Sequence, residues 1–232
     1  MITDGLATAF RSKRLIFRAL EDNEADRDFL FTQIENDPVS TALANPAMVV
    51  PRSSKSAQAL VSELAKSTLA VIVCLTPEAA PDVPAQDAAL HSTPAPHPTS
   101  TSTPTPTPTP TPPSALTPIG FMFLGWGGTP PDRAQHRCTE LGLQLAAAFQ
   151  GKGYGAEAVD WGVDWAFRFG GLHRVTIKTV GYNTRAQHLY TRLGFVEEGR
   201  SREAHWHDRK WYDVVSYGML EGEWAKLRGL EE

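Results

Sequence analysis

The residues with the clearest chemical purpose form the turn Gln150-Gly151-Lys152-Gly153-Tyr154-Gly155, which joins an alternating apolar segment to an amphipathic one. Its three glycines let the backbone turn sharply and come close to a ligand. The N–H groups that open the following helix point outward with the positive end of the helix dipole, which suits a pyrophosphate. Lys152 adds a positive charge at the same place. Taken alone, the turn also fits a plain strand-to-helix connection. The Gly-x-x-x-x-Gly-Lys-Ser/Thr spacing of a P-loop is absent. Gly151, Gly153 and Ala156 do fit the Gly-x-Gly-x-x-Ala of a dinucleotide site. That site also needs an acid at the end of the next strand to hold the ribose. Here the strand ends Lys178-Thr179-Val180-Gly181, with no carboxylate.

Around this turn the hydrophobic pattern predicts an α/β (α+β) layer arrangement on one mixed sheet. Strands are expected at Arg14–Ala19, Leu69–Leu75, Pro118–Gly125, Thr139–Leu145, His173–Val180, Phe195–Ala204 and Trp211–Met219. Along Thr139–Leu145 the side chains alternate, with Leu141, Leu143 and Leu145 on one face and Glu140, Gly142 and Gln144 on the other. Helices are expected over Glu21–Asn36, Ser56–Ser67, Ala156–Phe169 and Asn183–Leu193. The third carries Val159, Val163 and Phe167 as one stripe, and the fourth is capped by Asn183 and ended by Gly194. A polar turn at His207–Lys210 joins the last two strands.

From about residue 77 to 117 the composition shifts to Thr, Pro and Ser, with a run of Thr-Pro repeats. Proline cannot donate to a ladder, and nothing apolar offsets the cost of ordering, so this stretch is expected to be a disordered insertion at a hairpin tip. Loop-closure entropy grows only logarithmically with length, so such an insertion is tolerated cheaply. The remainder, residues 1–232 otherwise, reads as a single domain.

The 41% hydrophobic content supports a real core, and a net charge of −4 gives no footing for nucleic-acid binding. No apolar run reaches the roughly 18 residues of a membrane span, and no secretory signal is visible. Two cysteines, Cys74 and Cys138, sit alone in apolar runs and read as buried thiols of a reducing compartment. A cytoplasmic protein is therefore expected, with the nucleus left open, no membrane partner and an oligomeric state that the residues do not specify. His205, His207 and Asp208 invite a metal reading, but no second ligand pair supports it, so no metal is expected.

Gln150-x-x-Gly153-x-Gly155-Ala156 resembles the first signature of the GNAT N-acetyltransferase superfamily. Asn183-x-x-Ala186-x-x-Leu189-Tyr190-x-x-Leu193-Gly194-Phe195 resembles its second, in the right order and one helix and one strand away. Arg14–Ala19, His205-Trp206 and Trp211-Tyr212-Asp213 resemble the branch that acetylates ribosomal-protein N-termini and related amines. The Thr-Pro insertion departs from the family pattern. The resemblance implies a central, mostly antiparallel sheet whose two middle strands are parallel and splayed, with acetyl-CoA lying in the gap. It implies direct acetyl transfer from acetyl-CoA to a primary amine: a protein N-terminus, a polyamine or another small amine. A catalytically silent acyl-CoA-binding module is the alternative. Backbone groups at Leu143, Gln144 and Leu145 would hold the pantetheine arm, and amides of Gln150, Gly151, Lys152, Gly153, Tyr154 and Gly155 the pyrophosphate. Asn183 would bond the arm or cap its helix. Tyr190 would be the general acid, although its place in an apolar stripe also fits a core role. Glu140, acting through water, is the candidate base, and an exposed strand carboxylate is the plainer reading.

Overall fold

The computed structural model describes residues 6–44, 48–79 and 116–230. The Thr-Pro insertion falls almost wholly outside the described residues, as does its expected disorder. Seven strands form one sheet in the order β1-β2-β3-β4-β5-β7-β6. They are β1 (Leu15–Ala19), β2 (Leu69–Leu75), β3 (Thr117–Leu124), β4 (Cys138–Leu145), β5 (Arg174–Val180), β6 (Val196–His207) and β7 (Lys210–Leu220). All neighbours run antiparallel except β4 and β5. Leu75 pairs with Thr117, so the Thr-Pro segment joins the two ends of an antiparallel pair.

One face of the sheet is covered by α4 (Tyr154–Arg168), whose Val159, Val163 and Phe167 stripe is buried as its period demands. Trp161 stacks flat on Phe17 with ring centres 3.7 Å apart. The other face is covered by α1 (Glu24–Phe29), its π-helical continuation Leu30–Glu35, and α3 (Ser54–Leu64), packed on Ile72, Cys74 and Phe121. α5 (Thr184–Arg192) follows β5, and α6 (Glu221–Leu227) closes the described chain.

Two helices escape the pattern reading. α2 (Pro38–Ala44) and α6 are seven residues each, too short for a repeating stripe. The Asp37-Pro38 pair does carry a start signal. Asp37 Oδ1 accepts from the Val39 N–H at 3.0 Å, and proline suits the first helical turn. α6 is held by Trp224 Nε1 donating to Asp164 at 2.7 Å and by Arg228 donating to Asp160 and Asp164. β6 extends three residues beyond Ala204, and the hairpin turns on Asp208 and Arg209 alone, both left-handed at φ 43° and 62°. Two consecutive residues of positive φ make the tight hairpin turn whose twist matches the strands. Cys74 is buried as expected, but Cys138 is exposed because β4 begins there, at the rim of the sheet.

Arg18 of β1 reaches across to Asp26 of α1, a carboxylate almost wholly shut off from solvent. Burial alone would raise the Asp26 pKa, but the Arg18 hydrogen bonds, the Glu21 N–H at 3.0 Å and the Arg18 charge together hold it below the usual range. Removing the carboxylate strands a half-buried guanidinium, so Asp26→Ala is expected to cost about 2–3 kcal/mol at pH 7 by urea unfolding. A carboxyl with a lowered folded pKa stabilises fully above its unfolded pKa and ceases to as pH falls through the folded one. The stability difference between the two proteins should therefore begin to shrink as pH falls below about 4 and keep shrinking until the pH is below the lowered folded pKa.

Candidate functional site

The sheet opens in its middle. β4 and β5 pair only from Cys138–Glu140 to Arg174–Thr176, and beyond that each strand is held solely by its outer neighbour. The ladder register fixes what faces the opening. Glu140 accepts from Gly125 N and Ala146 donates to Ile119, so even-numbered β4 residues spend their backbone groups on β3. By the alternation of an antiparallel pair, Leu143 and Leu145 turn theirs into the gap. The Gln144 backbone is committed to the β3 ladder, so its contribution to the gap comes from its side chain, which lines the cleft. On the far side, the alternation against β7 turns Lys178 and Val180 inward. The result is a cleft of about 1590 Å³ bounded by β4, β5, the glycine-rich turn, α5 and α2.

The turn lies at the end of β4. Gly151 and Gly153 both take positive φ, 75° and 83°, where a side chain is strained, and Gly153 immediately precedes α4. Among the described residues no backbone acceptor takes the N–H groups of residues 151–156, and the first helical bond is that of Glu157 to Gly153 at 3.3 Å. These are the orphan donors of a helix start, fanned across the cleft floor. The Gln150 N–H, by contrast, is bonded to Ala147 at 3.2 Å. Lys152 sits with its ammonium 5.5 Å from the centre of the Phe149 ring, and Tyr154 is buried under Arg14.

Three side chains brace this turn and were not visible in the local pattern. Arg14 donates Nη1 to the Lys152 carbonyl at 3.1 Å and stacks 4.6 Å from the Tyr154 ring centre. Glu157 holds Arg14 through Nε at 2.8 Å and through the backbone N–H at 2.6 Å. Burial pushes the Glu157 pKa up, yet these bonds and one from Ser12 leave it lowered, so it stays ionised. Arg185 of α5 donates to Gln150 Oε1 at 2.9 Å and hangs over Gly151. It is the cation best placed to meet a phosphate on the turn.

The Gln150 side chain works inside the fold. Its Nε2 donates to the Leu145 carbonyl at 2.9 Å and to Ser40 of α2 at 2.7 Å. At its other end α2 is tied to the loop after β5, where Tyr182 donates to Ala42 and Asn183 donates to Leu43 at 3.2 Å. α2 therefore bridges the diverging ends of β4 and β5. Asn183 Oδ1 also accepts from Ala186 N at 3.2 Å, so both ends of its amide are occupied. Of the two roles expected for Asn183 the cap is formed, the strap to α2 is added to it, and one N–H and one lone pair of the amide stay open toward a pantetheine arm.

Tyr190 is half-buried on α5 and reaches the cleft between Phe195 and Tyr217, whose ring centres lie 6.1 and 5.6 Å away. Burial first and Tyr217 second push its pKa well above the usual phenol range. No side chain among the described residues bonds its hydroxyl. Glu140 projects into the cleft opposite and accepts from Lys178 Nζ at 2.7 Å. Between Glu140 and Gln144 lies Gly142, where an added Cβ would meet the Phe123 ring at 2.1 Å. That glycine lets Phe123 lie across β4, in line with Phe121 and Trp126, as an aromatic wall. His205, His207, Tyr182 and Tyr212 form a separate stack under the β6–β7 hairpin, away from the cleft lining. Burial and His207 lower the His205 pKa. Among the described residues no group of three or more His, Cys, Asp or Glu side chains is placed to hold a metal, and no helix is long and apolar enough to cross a membrane.

Residues 117–195 match the model of the acetyltransferase (GNAT) family. In sequence the chain is 30% identical over 89 residues to the spermidine N(1)-acetyltransferase of Vibrio cholerae, covering 38% of this chain and 51% of that protein. It is 30% identical over 93 residues to the [ribosomal protein uS5]-alanine N-acetyltransferase of Escherichia coli, covering 40% and 47%. The chain thus spans about half the length of the curated relatives it matches. In structure it resembles the Vibrio cholerae spermidine N-acetyltransferase crystallised with CoA and spermine, with a TM-score of 0.66 at 19% identity, over 92% of this chain and 99% of that one. The chain thus carries the fold of that acetyltransferase, and its residues 117–195 match the GNAT family model.

Proposed function

We propose that this chain transfers an acetyl group from acetyl-CoA directly to a primary amine. The observation that carries this reading is the join of an opened β4–β5 pair to a turn with unpaired N–H donors. The first exposes backbone groups along the gap, and the second offers the anion site that a pyrophosphate requires. Leu143 and Leu145 hold the pantetheine arm through their backbone, and Gly151 to Ala156 with Arg185 hold the pyrophosphate. Asn183 and Gln150 act on the same site indirectly, by fixing α5, α2 and the turn.

In the reaction the amine nitrogen attacks the thioester carbon and the C–S bond breaks. The Leu143 N–H donates to the carbonyl oxygen as it gains charge, a contribution that grows in a water-poor gap. Tyr190 gives its proton to the departing sulfur and is reprotonated by the proton that the nitrogen sheds as the amide forms. Its raised pKa keeps that proton in place through neutral and mildly alkaline pH. Glu140 receives, through water, the proton that the ammonium form of the acceptor must shed, with Lys178 fixing the carboxylate. Glu140→Gln is expected to lower kcat/KM at least tenfold and to alter its pH profile. An unchanged pH–rate profile would remove Glu140 from this role.

The test of the whole reading is amine-dependent release of the CoA thiol, measured over protein N-termini, amino acids, polyamines and aminoglycosides. Transfer to at least one class is the expected result. Tight CoA binding with no transfer to any class would instead mark a silent acyl-CoA-binding module.

A further inference from the structure

Resting on the acetyltransferase reading, the charges of the acceptor half of the cleft point to a class of amine. We infer that the acceptor is an amine whose own molecule also carries a carboxylate, such as an amino acid or an acidic peptide N-terminus, rather than a polyamine. A polyamine presents several ammonium groups along one chain, and each needs a free carboxylate in the wall that receives it. Among the described residues the cleft lining has two carboxylates, Glu35 and Glu140, and both are already engaged. Glu140 is paired with Lys178 at 2.7 Å. Glu35, at the end of the π-helical stretch, accepts from Ser56 at 3.0 Å and faces the charge of Arg52. Burial outweighs both of these and leaves its pKa raised.

Among the described residues, the charged side chains of this half that have no hydrogen bond or ion pair to another side chain are positive, although the Arg52 charge also acts on Glu35. Arg133, in the 3₁₀ turn before β4, is exposed and makes no side-chain hydrogen bond or ion pair among the described residues. Arg52 has no carboxylate within ion-pair distance among them, its Nη2 meeting only the Met48 carbonyl at 3.4 Å. Arg133 lies before the start of β4 and the pyrophosphate turn lies after its end. Eight residues of strand put about 23 Å between them, too far for Arg133 to serve the same phosphates. The wall between carries Phe123 and Trp126, which suit the carbon skeleton of the acceptor. Arginine presents a planar fork that matches a carboxylate.

The test compares three probes in the CoA-release assay: spermidine, a short peptide with Asp and Glu after its free N-terminus, and the same peptide with Lys in those places. The acidic peptide is expected to exceed the lysine peptide at least tenfold in kcat/KM, and spermidine to be the poorest. Arg133→Glu and Arg52→Glu are then expected to shrink or invert that ratio while the Kd for CoA changes less than twofold. The Arg133 side chain makes no bond among the described residues, so its reversal is expected to keep the protein intact. Calorimetric binding of the same probes to the CoA-loaded protein separates the two levels of claim. Charge-dependent binding without turnover would overturn the acetyltransferase reading and leave this inference standing. Turnover that favours spermidine, or a ratio unmoved by both reversals, would overturn the inference and leave the activity standing.

Discussion

Tyr190→Phe is expected to lower turnover well over tenfold while leaving the affinity for acetyl-CoA within about twofold. The ring packs against Phe195 and Tyr217, and phenylalanine keeps that packing, so the fold and the cleft wall survive. Only the hydroxyl is lost, and it makes no other bond among the described residues. Its loss therefore falls on the step in which sulfur departs. The pH dependence sharpens the expectation. A phenol with a raised pKa remains protonated to higher pH, so no loss of rate should follow from its ionisation between about pH 7 and 10. If Tyr190→Phe turns over at the normal rate, the residue is a core aromatic and another group supplies the proton. That outcome would match the plainer meaning of its apolar helical stripe.

Gly153→Val is expected to act on the other half of the reaction, raising the Kd for acetyl-CoA at least tenfold. The residue sits at φ 83°, where a β-branched side chain is strongly disfavoured, and its Cβ would meet Arg14 Nη2 at 3.3 Å. The backbone must rotate to relieve both, and that rotation redirects the N–H groups that begin α4. Thermal unfolding checks that the protein still folds, since a left-handed penalty of about 1–2 kcal/mol lowers the melting point without abolishing the fold. A normal Kd would mean that the pyrophosphate is not held by this turn.

The contrast between those two residues shows what a linear reading reaches. The turn, the α4 stripe and the Asn183 start of α5 are periodic or local, because 3.6-residue and two-residue repeats are written along the chain. The splayed parallel pair in the middle of the sheet followed from the resemblance rather than from the pattern. What stayed hidden is made of contacts across long separations. Arg14 meets Lys152 and Glu157, Arg185 meets Gln150, and Phe123 lies over Gly142, none of them sharing an element. The bond from the Asn183 amide to the Leu43 carbonyl is likewise made across a long separation. Short α2 shows the same limit: Asp37-Pro38 marks a helix start, but only the sheet's opening shows why a helix must cross there. The misplaced burial of Cys138 has a simpler cause. An apolar neighbourhood in sequence does not tell how far along its strand the rim begins.

The central claim is that acetyl-CoA lies in the β4–β5 opening with its pyrophosphate on the turn, and amide hydrogen exchange with and without acetyl-CoA tests it most directly. The account predicts slowed exchange at Leu143, Leu145 and residues 151–156, the groups that are unpaired in the cleft. It predicts no change along β6, which lies at the far edge of the sheet. Protection that appears on β6 or under the His205 stack, with residues 143–156 unaltered, would contradict it.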